Sequence, residues 1–319
     1  MLFAGVDAGG TSTRVAVHTA SGARVGHGTA DGGNPAAHGP GPAGAAIAAA
    51  LRQAIHALPV AEVTASVAGV AGADDAFAPV LDRIWAEHGL THRPSLVSDL
   101  TVAYAAGTPA PAGTLLLAGT GAAAARFAKR EIDGVADGLG WLLGDEGGGF
   151  WIGRAGVRAA VRALDAGSPH GPLAELVSQR FGASGPPRRR ADHIVRAAQA
   201  DRMALAASAP LVGQAADLGD PDARAIVHEA ARRLVATARR VHRAGPVVLA
   251  GGVLANDGPV RRAVMRSLTG PEPVPAMAEV TGLRTARDGP GAASWLAALE
   301  HLGDSRARAA HLRFTTADG

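Results

Sequence analysis

The sequence contains no cysteine, which excludes disulfides, a thiolate nucleophile and cysteine ligands for zinc or an iron–sulfur cluster. Lysine occurs once, at Lys129, and this excludes a phosphate loop of the GxxxxGK[ST] type, whose lysine contacts the phosphates. Aromatic residues make up 3% of the chain, too few to predict a platform on which nucleic-acid bases stack. Uninterrupted apolar runs of about 18 residues are also missing, so no membrane-spanning helix is predicted.

The charge of the chain does not favour nucleic acid either. The isoelectric point of 10.3 accompanies a net charge of only +3, because the basic residues are almost all arginine. The basic run PPRRRAD at 186–192 is interpreted as a solvated loop, and no nucleic-acid partner is predicted. The first residues enter a strand pattern without a basic segment and a cleavage site. We therefore expect no signal peptide and a cytoplasmic protein.

What the sequence does contain is a repeated α/β pattern. With 47% hydrophobic residues, the 319-residue chain can form one large or two medium cores. The first half predicts three strands, then helix, strand, helix, strand and helix; the strands lie at 2–9, 13–20, 23–30, 62–72 and 93–99. A Pro/Gly linker, GTPAPAG at 107–113, ends this half.

The second half opens in the same way, with three strands in AGTLLLAGTG, AAARFAKR and EIDGVADG. Long helices are predicted at roughly 145–165, 171–181, 190–205 and 221–244. A strand in PVVLAGGV, a helix at 258–268, a weaker strand in EPVPAMAEV and a last helix at 289–303 follow. The sequence thus predicts an N-terminal domain, 1–112, a C-terminal domain, 113–303, and a peripheral tail. A cleft between two such domains is where a ligand is expected.

Three predicted strands end in glycine turns. The turns are DAGGTST at 7–13, AGTGA at 118–122 and the Gly251–Gly252 pair after VVLA. Backbone N–H groups of Gly9 and Gly10, at positive φ, together with the hydroxyls beside them, can bind an anion. Asp7 next to a phosphate requires a cation between them, for which Mg²⁺ is the usual choice. Taken alone, each turn is equally well explained as a plain β-hairpin turn or as an ordinary glycine turn at the end of a strand in an α/β fold.

In their order and spacing these segments resemble the actin/hexokinase/Hsp70-type ATPase superfamily, and within it the N-acetylglucosamine kinase branch of the BadF/BadG/BcrA/BcrD-type ATPases. The opening DGGGT turn of that family is matched by residues 7–11, its strand-end aspartate by Asp99 and its GTGS turn by residues 119–122. The GGWGxxxGDEGSxxWIG block is matched most specifically, by DGLGWLLGDEGGGFWIGR at 137–154. The resemblance implies two ribonuclease H-like domains of the actin-like ATPase fold flanking a nucleotide and sugar cleft.

The same resemblance implies roles for individual residues. Asp99 is the expected general base, and Asp7 is the expected residue next to the metal. ATP and phosphate contacts are expected from Gly9, Gly10, Thr11, Thr13, Gly119, Thr120, Gly121, Gly251 and Gly252. Sugar contacts are expected from Asn34, Gly72, Asp99, Asp145 and Glu146. ATP with Mg²⁺ is the implied cofactor pair, a small sugar is the implied substrate, and a homodimer is expected.

Several of these residues also have ordinary structural explanations. Asp99 can cap the helix that follows it, and Asn34 can serve as a turn residue before proline. Asp145 and Glu146 can begin a helix and interact favourably with its dipole. Three glycines at 147–149 weaken such a first turn, which favours a need for close approach there.

Two positions depart from the family pattern, and they leave more than one function open. Leu139 stands where the family has tryptophan, and Ala122 where it has serine. The expected activity is transfer of the γ-phosphoryl group of ATP to the 6-hydroxyl of N-acetylglucosamine, glucosamine or N-acetylmuramic acid. A non-catalytic sugar or nucleotide sensor is the alternative. A reductase-activating ATPase needs a cysteine-held iron–sulfur cluster, which this chain cannot build.

Overall fold

The computed structural model describes residues 1–167, 171–269 and 280–316. The chain divides into two compact units: unit 1 comprises Met1–Pro111, Lys129–Glu131 and Arg284–Gly319, and unit 2 comprises Ala112–Ala128 and Ile132–Leu283. The first division, between Pro111 and Ala112, falls within the predicted linker. The last one does not match the predicted boundary at 303, because the chain returns to unit 1 at Arg284.

Unit 1 is built around a five-stranded sheet with strand order β3-β2-β1-β4-β5. Its strands are β1 Leu2–Ala8, β2 Thr13–Thr19, β3 Arg24–Ala30, β4 Val63–Val70 and β5 Ser95–Val97. β1 pairs antiparallel with β2 and parallel with β4, so the carboxyl ends of β1 and β4 lie at the same edge. The three opening strands and the two later ones were predicted from the sequence; their order in the sheet was not.

Helices cover both faces of this sheet. They are α1 Pro35–His38, α2 Pro40–Ile55, α3 Ala78–Glu87, α4 Asp99–Ala105, α14 Gly289–Leu302 and α15 Asp304–Thr315, with single 3₁₀ turns at Val60–Glu62 and Asp75–Phe77. Alternate residues of β1 pack on different layers. Val6 lies in the core with α2 and α3, whereas Phe3 lies in the core with α4, α14 and α15. The central strand is therefore buried on both sides.

The predicted peripheral tail is wrong, because α15 is part of the core of unit 1. Phe314 is fully buried, and the indole Nε1 of Trp295 in α14 donates a hydrogen bond to the carbonyl of Ala307, at 2.7 Å. The imidazole of His311 bonds the carbonyl of Ala105 at 2.7 Å. The charged residues of this helix, three arginines and one aspartate, obscured its apolar stripe in the sequence.

Unit 2 repeats the arrangement with strand order β10-β9-β6-β7-β8. Its strands are β6 Gly113–Ala118, β7 Ala122–Ala128, β8 Glu131–Asp137, β9 Gly245–Ala250 and β10 Val280–Thr285. β6 pairs antiparallel with β7 and parallel with β9, as β1 does with β2 and β4. The predicted strand EPVPAMAEV lies outside the described residues except for its last residue, Val280, where β10 begins.

The helices of unit 2 fall mainly between β8 and β9. They are α5 Gly140–Leu143, α6 Gly149–Asp165, α7 Pro172–Arg180, α8 Pro187–Ala200, α9 Met203–Ala206, α10 Ala209–Asp217, α11 Pro221–Val241, α12 Gly252–Ala255 and α13 Pro259–Thr269. Across the described ranges, no helix combines the length and the apolar character needed to cross a membrane.

Three sequence-based expectations for these helices are wrong. Asp145 and Glu146 precede α6 instead of beginning it, since Asp145 and Gly147 have positive φ values of 57° and 85°. The predicted helix at 190–205 is two helices, and α10, which contains a proline and a glycine, was not predicted. The basic run at 186–192 opens α8 and is not a loop; Arg188 pairs there with Asp165 at 2.6 Å.

Candidate functional site

The turn between β1 and β2 leaves open space around its glycines. The N–H of Gly9 donates to the carbonyl of Ser12 at 2.9 Å, and the N–H of Gly33 donates to the carbonyl of Gly9 at 3.0 Å. Neither Gly9 nor Gly10 has a positive φ, so that expectation is wrong. A Cβ added at Gly10 would meet nothing within 4 Å. The backbone of this turn is therefore accessible to a ligand without any strained conformation.

The hydroxyl residues of the turn differ in what they can reach. Thr11 and Ser12 are exposed, whereas Thr13 is fully buried. The hydroxyl of Thr13 donates to the carbonyl of Asp31 at 2.8 Å. Thr13 therefore holds the turn together, and this environment does not fit its expected contact with a phosphate.

Asp7 occupies the end of β1, where an arginine and a helix N-terminus meet its carboxylate. Arg14 Nη2 lies 2.5 Å from Asp7 Oδ2. Gly289 is the first residue of α14, and a Cβ added to it would collide with the carboxylate of Asp7. The position next to Asp7 thus requires glycine. The amino end of the 14-residue helix stabilises the negative charge of Asp7.

Asp99 is the first residue of α4, directly after the short strand β5. Ser98 caps the helix, because its hydroxyl accepts the N–H of Leu100 at 3.2 Å; capping by Asp99 itself is therefore wrong. Burial, and next the negative charge of Asp7, raise the pKa of Asp99, while the hydrogen bond from Ser98 opposes the shift. Asp99 is a partly buried carboxylate whose affinity for a proton is increased.

Asn34 and Gly72 lie together beside this region. Asn34 caps α1, and its Oδ1 accepts the N–H of Ala37 at 3.0 Å, which bears out the ordinary explanation as a turn residue. Gly72 has a φ of 65°, and a Cβ there would lie 2.6 Å from Asn34 Oδ1. The side-chain Nδ2 of Asn34 has no hydrogen bond within the described ranges, so it remains a free donor.

Sequence reasoning missed Asp288, which belongs to the same region of unit 1. Asp288 caps α14 by accepting the N–H of Gly291 at 3.0 Å, and it forms an ion pair with Arg24. Burial raises the pKa of Asp288, and Arg24 opposes this shift. The signal was present in DGPG at 288–291, an aspartate before a proline-containing helix start.

Two of the predicted glycine turns come together in unit 2, because they follow the parallel neighbours β6 and β9. Gly251 has a φ of 80°, and a Cβ there would collide with the carbonyl of Ala118. The N–H of Gly119 closes its own turn on the carbonyl of Gly121, at 2.9 Å. Thr120 and Gly252 are exposed at this edge of the sheet.

The glycines after Glu146 serve a close approach between backbones. The N–H of Gly149 donates to the carbonyl of Gly119, and the N–H of Phe150 to the carbonyl of Thr120, both at 2.8 Å. A Cβ on Gly148 would lie 2.7 Å from the carbonyl carbon of Gly121. The start of α6 is thereby joined to the 119–121 turn, which is the close approach that the sequence led us to expect.

Asp145 is held against the same turn in an unusual backbone conformation. Its φ of 57° lies in the left-handed region, and its Oδ2 lies 2.5 Å from where a Cβ of Gly121 would stand. Burial is the main cause that raises the pKa of Asp145, and the backbone N–H groups of Ala122 and Gly140 act against it. Because the contact from residue 122 is made by its backbone, the change from serine to alanine leaves it intact.

Asp137 fixes this conformation, and it is the second residue that the sequence did not indicate. Its Oδ1 accepts the N–H of Asp145 at 2.7 Å, and its Oδ2 accepts the N–H of Glu146 at 2.8 Å. No role was predicted for it from the sequence. No local pattern shows that a carboxylate bonds backbone groups eight and nine residues away.

Glu146 has a structural partner of its own. Its carboxylate forms an ion pair with Arg233 of α11, which also bonds Glu229 at 2.6 Å and stacks on Trp151 at 4.9 Å. These contacts occupy the carboxylate, so they do not fit the expected role of Glu146 in sugar binding. They attach the 145–146 turn to α11.

Asp7 offers Mg²⁺ only limited protein ligation. In the part of the chain that the structure describes, no group of three or more histidine, cysteine, aspartate or glutamate residues is arranged to hold a metal. Mg²⁺ commonly keeps several waters and takes its remaining ligands from one or two carboxylates and substrate phosphates. The single carboxylate of Asp7 fits that pattern of ligation.

Comparisons with known proteins agree with this architecture. A model of the BadF/BadG/BcrA/BcrD ATPase family matches residues 4–281. An N-acetyl-D-glucosamine kinase of Dictyostelium discoideum is 27% identical over 192 residues, which cover 56% of this chain and 60% of that relative. The match therefore spans less than two thirds of the relative.

Two solved structures have the same fold over nearly the full length. A candidate N-acetylglucosamine kinase of Chromobacterium violaceum is 23% identical, with a TM-score of 0.67 and 98% of each chain covered. Another candidate N-acetylglucosamine kinase, from Porphyromonas gingivalis, is 20% identical, with a TM-score of 0.68 and the same coverage. At these identities the two structures show a common fold.

Proposed function

The chain belongs to the BadF/BadG/BcrA/BcrD ATPase family, and from this premise we propose that it is an ATP-dependent kinase of an amino sugar. The observation that carries the proposal is the pair of interacting carboxylates in unit 1. Asp7 ends a strand at an accessible glycine turn, and its charge contributes to the raised pKa of Asp99. Transfer of a phosphoryl group to a hydroxyl requires a proton acceptor and neutralised phosphates, and these two residues have the chemistry for it.

Asp99 is the proposed general base. Burial, and next the charge of Asp7, raise the pKa of Asp99 and so increase its ability to take the proton of the sugar hydroxyl. Asn34, with an unpaired amide donor, and Asp145 are the proposed ligands of the sugar hydroxyls. The proposed acceptor is the 6-hydroxyl of N-acetylglucosamine or of a close relative; the similarity to an N-acetyl-D-glucosamine kinase supports the choice of sugar.

The nucleotide is proposed to use backbone groups. Exposed Gly10, Thr11 and Ser12 in unit 1, and exposed Thr120 and Gly252 in unit 2, offer N–H and hydroxyl donors. Asp7 would hold Mg²⁺ through its waters, and the ion would neutralise the phosphate charge. This chemistry needs no lysine, which agrees with the single lysine of the chain. A cytoplasmic location and a homodimer remain part of the proposal.

The first test is a coupled assay of ADP formation with Mg²⁺ and five candidate acceptors: N-acetylglucosamine, glucosamine, N-acetylmannosamine, N-acetylmuramic acid and glucose. We expect turnover with one amino sugar. Asp99→Asn should lower kcat by about 100-fold or more, the lower limit for loss of a general base, while sugar binding measured by calorimetry persists. The acid limb of kcat/KM should lie above the ordinary range of an aspartate, because the pKa of Asp99 is raised.

Asp82→Asn is the matched control, since Asp82 lies on α3 and only pairs with the exposed Arg93, at 3.4 Å. It should retain full turnover. Sugar binding without turnover in the parent protein would instead support the sensor. Absence of both binding and turnover across the panel would contradict an amino-sugar substrate.

A further inference from the structure

A groove on unit 2 collects cationic side chains that the proposed reaction does not use. It lies between α11 and α13 and has a volume of about 440 Å³, which falls within the range of small-molecule sites. His228, Arg232 and Arg239 line it from α11, and Arg266 and Ser267 line it from α13. None of the residues of the glycine turns, and neither Asp137 nor Asp145, contributes to its lining.

The charge of this groove is unbalanced. Arg232 pairs with Glu229 at 2.6 Å, but Arg239 and Arg266 make no ion pair or side-chain hydrogen bond to any described residue. No described carboxylate lines the groove. Arg262, on the same helix as Arg266, shows the contrast, since it pairs with Asp217 at 2.7 Å and with Asp257 at 3.0 Å. Guanidinium groups around one cavity repel each other, and a bound anion would remove the repulsion.

The floor of the groove is apolar. Ala231, Val235 and Ala263 are buried there, and their small side chains leave the space between the two helices. An inorganic anion would neutralise the arginines but leave this floor uncovered. An organic phosphate meets both requirements, because its carbon skeleton covers the floor and its phosphate accepts paired hydrogen bonds from a guanidinium group.

We propose that the groove between α11 and α13 binds a small organic phosphate through Arg239 and Arg266. The site is separate from the candidate site at the glycine turns, and it does not depend on the function proposed above. The expected ligand carries a phosphate group with two negative charges on a carbon skeleton the size of a sugar or a nucleoside.

Calorimetric titration of the full chain tests this site, with glucose 6-phosphate, AMP and inorganic phosphate as the probes. We expect the parent protein to bind at least one of the organic phosphates more tightly than inorganic phosphate. The double variant Arg239→Gln/Arg266→Gln should weaken that binding about 100-fold, since each charged hydrogen bond accounts for roughly tenfold. Glutamine is a good helix former, so the helices should persist, as circular dichroism can check.

The matched control is Arg158→Gln/Arg162→Gln, which removes two exposed arginines from α6 in the same unit. It should bind the probes as the parent does. Equal affinity of the groove variant and the parent, or an equal loss in the control, would overturn the proposal. So would binding of a single-stranded oligonucleotide in place of the organic phosphates, because that outcome would indicate a nucleic-acid surface.

Discussion

The three carboxylates near the end of β1 differ in their partners, and this difference separates their chemistry. Asp7 pairs with Arg14, and Asp288 pairs with Arg24. Asp99 forms no ion pair with any residue in the described ranges. The arginines beside Asp7 and Asp288 occupy those carboxylates, whereas the carboxylate of Asp99 is free of such a partner and burial raises its pKa. Among the three, Asp99 is therefore the one suited to act as a base.

The burial of His18 leads to a prediction at the residue scale that is independent of function. It is fully buried on β2, its ring lies 5.2 Å from that of Phe314, and neither ring nitrogen has a hydrogen-bond partner in the structure. Burial, with a smaller contribution from Arg24, lowers the pKa of His18 to about 3. Between about pH 3 and pH 6.5, His18 is therefore neutral in the folded chain but protonated in the unfolded chain.

The stability linked to His18 should be complete above about pH 6.5 and decline as the pH falls toward 3. Between pH 6.5 and 5 the free energy of unfolding should fall by about 2 kcal/mol on this account. His18→Leu should remove that part of the decline, as urea denaturation at the two pH values can measure. His56→Leu, at an exposed site, should leave the decline unchanged. An unaltered decline in His18→Leu would contradict the explanation.

At the scale of elements, the segment between β8 and α6 is the best-defined part of the candidate site. Asp145 adopts a left-handed conformation that costs about 1 kcal/mol or more in a residue other than glycine. The two hydrogen bonds to the carboxylate of Asp137 offset that cost. Asp137 is thus a positioning residue, because it acts on the proposed sugar ligand through the backbone.

Asp137→Ala should raise the KM for the sugar by about 10-fold to 100-fold, since two charge-assisted hydrogen bonds are lost, and should leave the KM for ATP nearly unchanged. Asp137→Asn keeps one accepting oxygen and should give an intermediate value. Steady-state kinetics with each substrate varied in turn measure the KM for the sugar and the KM for ATP. Asp133→Asn is the control, since Asp133 lies on the same strand and pairs with Arg126 at 2.8 Å. Parallel changes in both KM values would indicate a general loss of structure instead.

The sequence predicted most elements but not the contacts that make the site. Strand and helix periods are local, so all three opening strands and the strands ending at Ala118 and Ala250 were predicted correctly. The start of α6 was misplaced because two acids before an apolar run are typical of a helix N-terminus. The hydrogen bonds of Asp137 reach backbone groups eight and nine residues along the chain, and the close approach of Gly289 to Asp7 joins residues far apart in sequence. Neither is visible in the period of a strand or a helix.

At the scale of the whole molecule, the two units share one strand order. The sequence indicated this through two apolar strands that each end in a glycine turn and begin a three-strand meander. It did not indicate that the last helices return to unit 1. Residues of β1 that pack closely against α14, such as Gly5, are more than 280 positions away from it in sequence. A Cβ on Gly5 would collide with the backbone of Ser294.

The position of α15 in the core gives a stability prediction for unit 1. Phe314→Ala should lower the free energy of unfolding by about 3 to 5 kcal/mol, the usual loss for a fully buried phenylalanine. Leu312→Ala, on the same helix with its side chain 57% exposed, should change it by less than about 0.5 kcal/mol. Chemical denaturation of both variants provides the comparison. If Phe314→Ala left the free energy of unfolding unchanged, α15 would not belong to the core, and the predicted peripheral tail would be correct.

The path of the chain through the units also has a consequence for biosynthesis. Unit 2 is inserted within the sequence of unit 1, so the ribosome completes all the residues of unit 2 before it reaches α14. Domains usually fold in the order in which they emerge, with the N-terminal one first. Here unit 1 is complete only after α14 and α15 have been synthesised, which follows the synthesis of all of unit 2. A translation product that stops near residue 283 would carry a finished unit 2, while Asp7 would still lack the helix that meets its carboxylate.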